Sequence, residues 1–231
     1  MNNCLAIDTS DQCACIGLQI DDHYYHAEID NPKAQAEQLL RIIDTLLAQA
    51  NTSLKSLDYI AIAIGPGSFT GLRVGISAAQ ALAYALALPV VAVGSLQILA
   101  QQAYLAEGLE KVLITRDARM QEYYWGQFEL QNGFMQQIGD IRVNAMDIIL
   151  AENSNFAHPE ERQSRVSKDE LKFSLRANGE LALKAQPKSL TLTQLAQEQY
   201  KKGETLSPAA LVPLYVRNKV AEKSKSGRSA A

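Results

Sequence analysis

The stretch that decides the fold runs from residue 58 to residue 75 and reads Asp-Tyr-Ile-Ala-Ile-Ala-Ile, then Gly-Pro-Gly-Ser-Phe-Thr-Gly-Leu-Arg-Val-Gly. Residues 58–64 are apolar on both faces, which is typical of a strand inside a sheet that helices cover on both sides. The Ala-rich segment that follows predicts a helix from about Gly71 to Ala87. The stretch therefore indicates a buried strand, a glycine-rich turn and a helix, as in α/β proteins.

The pattern on both sides of this stretch predicts two similar halves. In the first half we predict strands at 4–8, 13–20, 23–29 and 90–93, a helix that begins after Asn31-Pro32, and a helix at 96–106. In the second half we predict strands at 111–116, 121–130 and 133–142, with Asn132-Gly133 as a hairpin turn, and a helix near 191–202. Each half opens with a strand that ends on an aspartate, Asp8 or Asp117, before a hairpin, which favours a structural duplication. Residues 143–192 show no clear pattern.

Composition limits the classes of partner that this chain can bind alone. It has 231 residues with 22 basic and 25 acidic side chains, so no bulk positive field would hold a nucleic acid. We see no secretory signal and no membrane span. The three cysteines, Cys4, Cys13 and Cys15, form no even framework, and we interpret them as free thiols of a reducing compartment. We therefore expect a cytoplasmic protein that meets any nucleic acid through a partner.

The glycine-rich run allows two interpretations. Backbone N–H groups of such a turn and the start of the helix can hold an anion, and Ser68 or Thr70 would cap the helix. A P-loop needs Lys and Ser or Thr after its last glycine, whereas Leu72 and Arg73 follow Gly71, so Walker-type hydrolysis is not expected. Alternatively, the glycines only permit a tight turn.

Small residues recur every four positions along the Ala-rich helix, at Gly71, Gly75, Ala79, Ala83 and Ala87. Such a strip lets another backbone approach closely, and spacing alone favours packing on the protein's own sheet over packing on another subunit. We nevertheless expect a docking surface on the first helix and on the Ala-rich helix. Its predicted residues are Leu39, Ile43, Leu47, Arg73, Gly75, Ala79 and Ala83.

Four segments together resemble the TsaB family, also called YeaZ. They are Asp8-Thr9-Ser10, the run from Gly65 to Gly75, Asp117-Ala118-Arg119-Met120 with Tyr124-Trp125, and Pro213-Leu-Tyr-Val-Arg-Asn218. The resemblance covers about 1–142 and 190–220. It departs from the family pattern at Gln35, where a histidine is frequent, and in 143–190, where a Gly-Asp-Gly-type turn is missing.

The resemblance implies a two-lobed α/β protein of the actin, sugar kinase and Hsp70 superfamily, with a ribonuclease H-like mixed sheet flanked by helices in each lobe. We expect an N-terminal lobe at 1–108, a C-terminal lobe at 109–221 whose last segment can pack back on the first lobe, and a disordered tail at 222–231. The resemblance also implies a non-catalytic subunit for threonylcarbamoyladenosine formation beside the anticodon of tRNAs that read codons beginning with A. Its implied partners are the transferase TsaD and the ATPase TsaE, with a homodimer when alone, and ATP or ADP is a candidate ligand at the TsaD interface.

The candidate loop residues for a nucleotide or phosphate are Asp8, Thr9, Ser10, Gly65, Gly67, Ser68, Thr70, Gly71 and Asp117. A lone aspartate after a strand, such as Asp8 or Asp117, more often forms a turn than binds a ligand. No phosphate-binding lysine accompanies these two aspartates, so we predict no catalytic residue. His23 and His26 are three apart on a strand and point to opposite faces, and we predict no metal site. Two alternatives of the same fold stay open, a metallopeptidase and a small-molecule kinase.

Overall fold

The computed structural model describes residues 2–153 and 186–216. Most of the unassigned stretch 143–192, the end of the Pro213–Asn218 motif and the predicted tail 222–231 lie outside the described residues. Within the described part of the chain, no helix is both long and apolar enough to cross a membrane.

The first sheet contains five strands in the spatial order β3-β2-β1-β4-β5. These are β1 (Cys4–Asp8), β2 (Ala14–Ile20), β3 (His23–Ile29), β4 (Tyr59–Ala63) and β5 (Val90–Val93). The first three form an antiparallel meander, whereas β1, β4 and β5 run parallel to one another. The sheet is therefore mixed, as predicted for the first lobe.

Helices cover both faces of this sheet, which explains why β4 is apolar on both sides. The described helices are α1 (Gln35–Gln49), α2 (Phe69–Leu86), α3 (Ser95–Glu107), α4 (Met146–Glu152) and α5 (Lys188–Lys201). Leu5 and Ile7 of β1 belong to the core that α1 and α2 cover, and the alternate residues Cys4 and Ala6 belong to the core that α5 covers. The period of two along the strand thus divides its side chains between two helical layers.

The second sheet repeats the meander. Strands β6 (Lys111–Asp117), β7 (Glu122–Gln131) and β8 (Phe134–Ala145) pair antiparallel in sequence order. The predicted hairpin turn is confirmed, because Asn132 and Gly133 both adopt a positive φ, 52° and 84°. Helix α3 packs on this sheet through Leu96 and Ala100.

The last described segment lies against the first lobe. Leu206 exchanges two backbone hydrogen bonds with Val90, of 2.7 and 2.9 Å, and the Leu214 N–H donates to the carbonyl of Ile64 at 2.8 Å. Together with α5, this segment joins the sheet and helices of the first lobe, although in sequence it follows the second sheet. Residues from both ends of the chain therefore build the surroundings of the β1 and β4 ends.

Candidate functional site

The predicted loop residues of β1 and β4 meet at one edge of the first sheet. Because β1 and β4 are parallel, their carboxyl ends lie side by side. The Ser68 N–H donates to the carbonyl of Ser10 at 2.8 Å, and the Asp8 carboxylate accepts from the Ser10 N–H at 2.9 Å. The structure thus brings Asp8, Thr9 and Ser10 together with the run that begins at Gly65.

The glycines of this run give the loop after β1 room to contact α2. A Cβ at Gly67 would lie well under 3.0 Å from the Ser10 carbonyl, and one at Gly71 equally close to the Thr9 carbonyl. A Cβ at Gly75 would lie equally close to the hydroxyl oxygen of Thr9. The contacts explain Gly67 and Gly71 by close packing on backbone and Gly75 by close packing on the Thr9 side chain, a role that needs no bound anion.

Ser68 is the N-cap of α2, and the helix begins at Phe69 rather than at the predicted Gly71. The Ser68 hydroxyl accepts from the Gly71 N–H at 3.2 Å, whereas Thr70 lies exposed in the first turn. Two N–H groups that an anion would need, those of Ser68 and Gly71, are therefore already bound by the chain itself.

Arg116 of β6 joins the second sheet to these loops. Its guanidinium donates to the Ser10 hydroxyl at 3.1 Å, to the Pro66 carbonyl at 3.1 Å and to the Ser10 carbonyl at 2.6 Å. It also lies 3.2 Å from the Asp11 carboxylate, and its side chain is only 9% exposed. One side chain from the second lobe thus holds two loops of the first.

A second cation, Lys188 at the start of α5, lies 2.8 Å from the same Asp11 carboxylate. Burial raises the pKa of that carboxyl, but the charges of Arg116 and Lys188 outweigh burial and lower the pKa to about 2. Burial would lower the pKa of Lys188, but the carboxylates of Asp8 and Asp11 outweigh it and raise that pKa. The cluster of Asp11, Arg116 and Lys188 is therefore fully charged near neutral pH.

Gln35 and Asp117 hold turns in place. The Gln35 amide is buried and donates to the carbonyls of Asp11 at 3.1 Å and Gln12 at 3.0 Å, so the residue that departs from the family pattern fixes the turn before β2. The Asp117 carboxylate accepts from the Arg119 N–H at 2.7 Å within its own turn. Both aspartates that end a first strand, Asp8 and Asp117, thus bind N–H groups of their own turns.

The predicted docking residues require a correction. Six of the seven are buried in the core of this chain, namely Leu39, Ile43, Leu47, Gly75, Ala79 and Ala83. They face the sheet because it needs the apolar stripe of each helix for its own core. Of the predicted set only Arg73 is exposed, and its guanidinium lies 3.3 Å from the centre of the Phe69 ring.

The two helices also have an exposed side, on which α1 carries three charged residues, Glu37, Arg41 and Asp44, and α2 carries one, Arg73. This side also includes Leu40 of α1 and Ser77, Ala81, Tyr84 and Ala85 of α2, a set that we call the outward face. Leu40 is 54% exposed and Tyr84 is 82% exposed. Arg73 is the only charged residue among the 18 of α2, whereas a helix side that faces water usually carries several charges.

The sequence did not identify Asp11, Arg116 or Lys188 as site residues. An arginine near the end of the apolar run Val-Leu-Ile-Thr of β6 was a usable signal, because a buried arginine needs several acceptors. Lys188 lies in the stretch without a clear pattern and offered no signal. The two described histidines, His23 and His26, lie on β3 as predicted, and no three-ligand cluster of the described residues includes either.

Comparison with known proteins places this geometry in a family. The profile of the family tRNA N6-adenosine threonylcarbamoyltransferase, TsaD, matches residues 31–186. Two proteins named tRNA threonylcarbamoyladenosine biosynthesis protein TsaB are each 30% identical to this chain. The Haemophilus influenzae relative aligns over 97% of both chains, and the Escherichia coli relative over 97% of this chain and 98% of its own.

Two solved structures from Pseudomonas aeruginosa are similar over nearly the whole chain. One, an uncharacterized protein with similarity to peptidase YeaZ, has a TM-score of 0.76 and 31% identity and covers 94% of this chain and 100% of its own. The other, YeaZ, has a TM-score of 0.72 and 31% identity and covers 93% and 100%. The two-lobed actin-like fold predicted from the sequence is thereby confirmed. The chain belongs to the TsaB family, also called YeaZ.

Proposed function

We propose that this chain is the non-catalytic subunit of a complex that forms threonylcarbamoyladenosine on tRNA, and that it binds the transferase TsaD through the outward face of α1 and α2. Membership of the TsaB family supports the pathway, since the relatives are named for this biosynthesis. The outward face is the observation that carries the docking surface.

The outward face has the properties of a protein contact. Ser77, Ala81 and Ala85 are four residues apart and lie one above the other along α2, so a partner helix can approach closely. The large ring of Tyr84 beside them is almost fully exposed, and aromatic side chains of this kind are frequent anchors in interfaces. A partner that covers the α2 part of this face would bury apolar surface and would meet one charged side chain, Arg73.

The site at the ends of β1 and β4 supports a non-catalytic role. Asp8 and Asp117 bind N–H groups of their own turns, and the N–H groups of Ser68 and Gly71 are bound by this chain as well. The cations Arg116 and Lys188 already face Asp11. In the proposal, TsaD therefore supplies the transfer chemistry, and ATP or ADP binds where the two subunits meet.

The remaining partners follow from the same proposal. The chain carries a net charge of −3, so we propose that tRNA, of the kind that reads codons beginning with A, binds to the assembled complex. The ATPase TsaE joins the pair of TsaB and TsaD, and the isolated chain forms a homodimer through the same outward face. We place this complex in the cytoplasm.

Titration with the TsaD protein of the same genome tests the docking surface. Ala81→Arg puts a long charged side chain on the outward face, and we expect the Kd for TsaD to rise tenfold or more, a loss of about 1.4 kcal/mol. The matched control is Ala151→Arg, at an exposed alanine of α4, which should bind TsaD like the unmodified chain. Modification of tRNA by the reconstituted complex should fall with Ala81→Arg only.

Two results would contradict the proposal at different points. If the unmodified chain does not bind TsaD at all, the function is wrong. If the unmodified chain binds TsaD, and both Ala81→Arg and Tyr84→Asp bind it with the same affinity, the function stands but TsaD does not dock on the outward face.

A further inference from the structure

The two thiols near the start of β2 meet a carboxylate of β3. Cys15 is paired with Glu28 in the register of the two strands, and Cys13 lies two residues earlier on the same face. The Cys13 thiol donates to one Glu28 carboxylate oxygen at 3.8 Å and the Cys15 thiol to the other at 3.9 Å. One ligand atom from each residue lies within 4.8 Å of the others. The strand pairing has thus assembled three metal-binding groups at one point.

We propose that the thiolates of Cys13 and Cys15 and the carboxylate of Glu28 bind one Zn²⁺ ion, with water in the fourth position. With Zn–S near 2.3 Å and Zn–O near 2.1 Å, tetrahedral geometry requires a sulfur-to-oxygen separation of about 3.6 Å. The observed 3.8 and 3.9 Å end on different Glu28 oxygens, and a single oxygen lies within 4.8 Å of both sulfurs, so rotation of the exposed Glu28 side chain has to bring that oxygen closer to the second sulfur by up to about 1 Å. Two soft thiolates with one carboxylate favour zinc over magnesium or calcium.

The surroundings suit a cation that arrives from water. Glu28 is exposed and Cys13 is half-buried, so an ion can enter without unfolding the hairpin. The carboxylates of Asp30 and Glu28 lie close to the Cys13 thiol. The same negative charges favour a divalent cation, and the nearby ammonium of Lys188 is held by Asp11 at 2.8 Å.

This inference replaces the sequence-based prediction of no metal site. That prediction considered only histidines and thiols as ligands, and Cys4 does not join the cluster, because it pairs with Gln19, about 13 Å further along β2. The third ligand comes from the neighbouring strand instead. Its position depends on the register between β2 and β3, which the spacing of cysteines alone does not reveal.

Zinc titration of the full chain against a chromophoric chelator tests the site. We expect one Zn²⁺ per chain with a Kd of about 1 μM or tighter, and release of one proton per thiol on binding. Cys13→Ser should weaken binding by about 100-fold or more, and Glu28→Gln by about tenfold. Cobalt in place of zinc should give thiolate-to-metal charge-transfer absorption that Cys13→Ser reduces.

The controls separate loss of a ligand from loss of fold. Glu37→Gln changes an exposed glutamate of α1 and should leave zinc affinity unchanged. Cys13→Ser is preferred to Cys15→Ser, because Cys15 is buried and its replacement can impair folding. A Kd in the millimolar range for the unmodified chain would overturn the proposal. So would a zinc affinity of Cys13→Ser and Glu28→Gln equal to that of the unmodified chain.

Discussion

Replacing Arg116 with methionine should lower the free energy of unfolding by about 3 kcal/mol. Methionine keeps most of the apolar stem and removes the guanidinium, so the change tests the polar contacts and leaves packing nearly constant. Those contacts are two hydrogen bonds to Ser10 and one to the Pro66 carbonyl. Each comes from a charged donor to a buried acceptor, the kind of hydrogen bond that contributes about 1.5–3 kcal/mol.

The acceptors that remain limit the size of the loss. The Ser10 carbonyl keeps its hydrogen bond from the Ser68 N–H at 2.8 Å, whereas the Pro66 carbonyl loses the guanidinium, a cost of about 1–3 kcal/mol. Asp11 keeps Lys188 and its side chain is 37% exposed, so solvent screens its loss of Arg116 to about 1 kcal/mol or less. A total near 3 kcal/mol follows, well below the sum of three full hydrogen bonds and an ion pair.

Urea unfolding of the full chain measures this loss, with Arg119→Met as the matched control. Arg119 forms its ion pair with Asp117 at 3.4 Å, but its side chain is 79% exposed, so its loss should stay within about 0.5 kcal/mol. Because Arg116 joins β6 to loops of the first lobe, its variant should also unfold less cooperatively. A loss below about 1 kcal/mol for Arg116→Met, or equal losses for both variants, would refute the role of Arg116 in holding the loops of the first lobe.

Three further outcomes are expected. Gly71→Ala should lower the free energy of unfolding by about 1–3 kcal/mol in thermal or urea unfolding, because the added Cβ meets the Thr9 carbonyl. Gly94→Ala is the control, since a Cβ there has its nearest neighbours at 4.0 Å and should lower it clearly less. Equal losses for the two variants would contradict the close-packing role. The Asp11 carboxyl has its pKa lowered to about 2 in the folded chain, so its contribution to stability is present above the unfolded pKa near 3.8 and is lost as the pH falls toward 2. In Asp11→Asn, the free energy of unfolding should therefore fall less between about pH 4 and pH 2 than in the unmodified chain. The purified chain alone should show no threonylcarbamoyl transfer and negligible ATP turnover, both of which should appear on adding its partners, and turnover that survives removal of contaminating enzymes would contradict a non-catalytic role.

Most elements of the first lobe could be predicted because their signals are local. Alternation and helical spacing set the predicted strands at 4–8, 13–20 and 23–29 within one residue of the observed β1, β2 and β3. The start of α2 was predicted two residues late, because the spacing of small residues is visible in the sequence, whereas the capping bond of Ser68 depends on backbone geometry.

The site could be predicted only in part, because its cations come from distant positions. The predicted loop residues near Ser10 and Gly67 do meet, as parallel strands require. Arg116 and Lys188 reach Asp11 across 105 and 177 positions of the chain, and no periodicity links them. The docking residues failed for a different reason. Periodicity finds the apolar side of a helix, but it does not say whether the protein's own sheet or a partner covers that side.

The contacts between the loops at the ends of β1 and β4 also affect the proposed docking surface. The first turn of α2 rests on the loop after β1 by backbone contacts at Gly67 and Gly71, which leave no room for even one added carbon. Arg116 fixes that loop from the other lobe. A helix held in this way presents its outward face in one position, so little conformational entropy remains to be lost when a partner binds. We therefore expect Gly71→Ala, in conditions where the variant stays folded, to weaken TsaD binding although position 71 is buried. Normal TsaD affinity in a folded but destabilised variant would show that the position of α2 and the docking surface are independent.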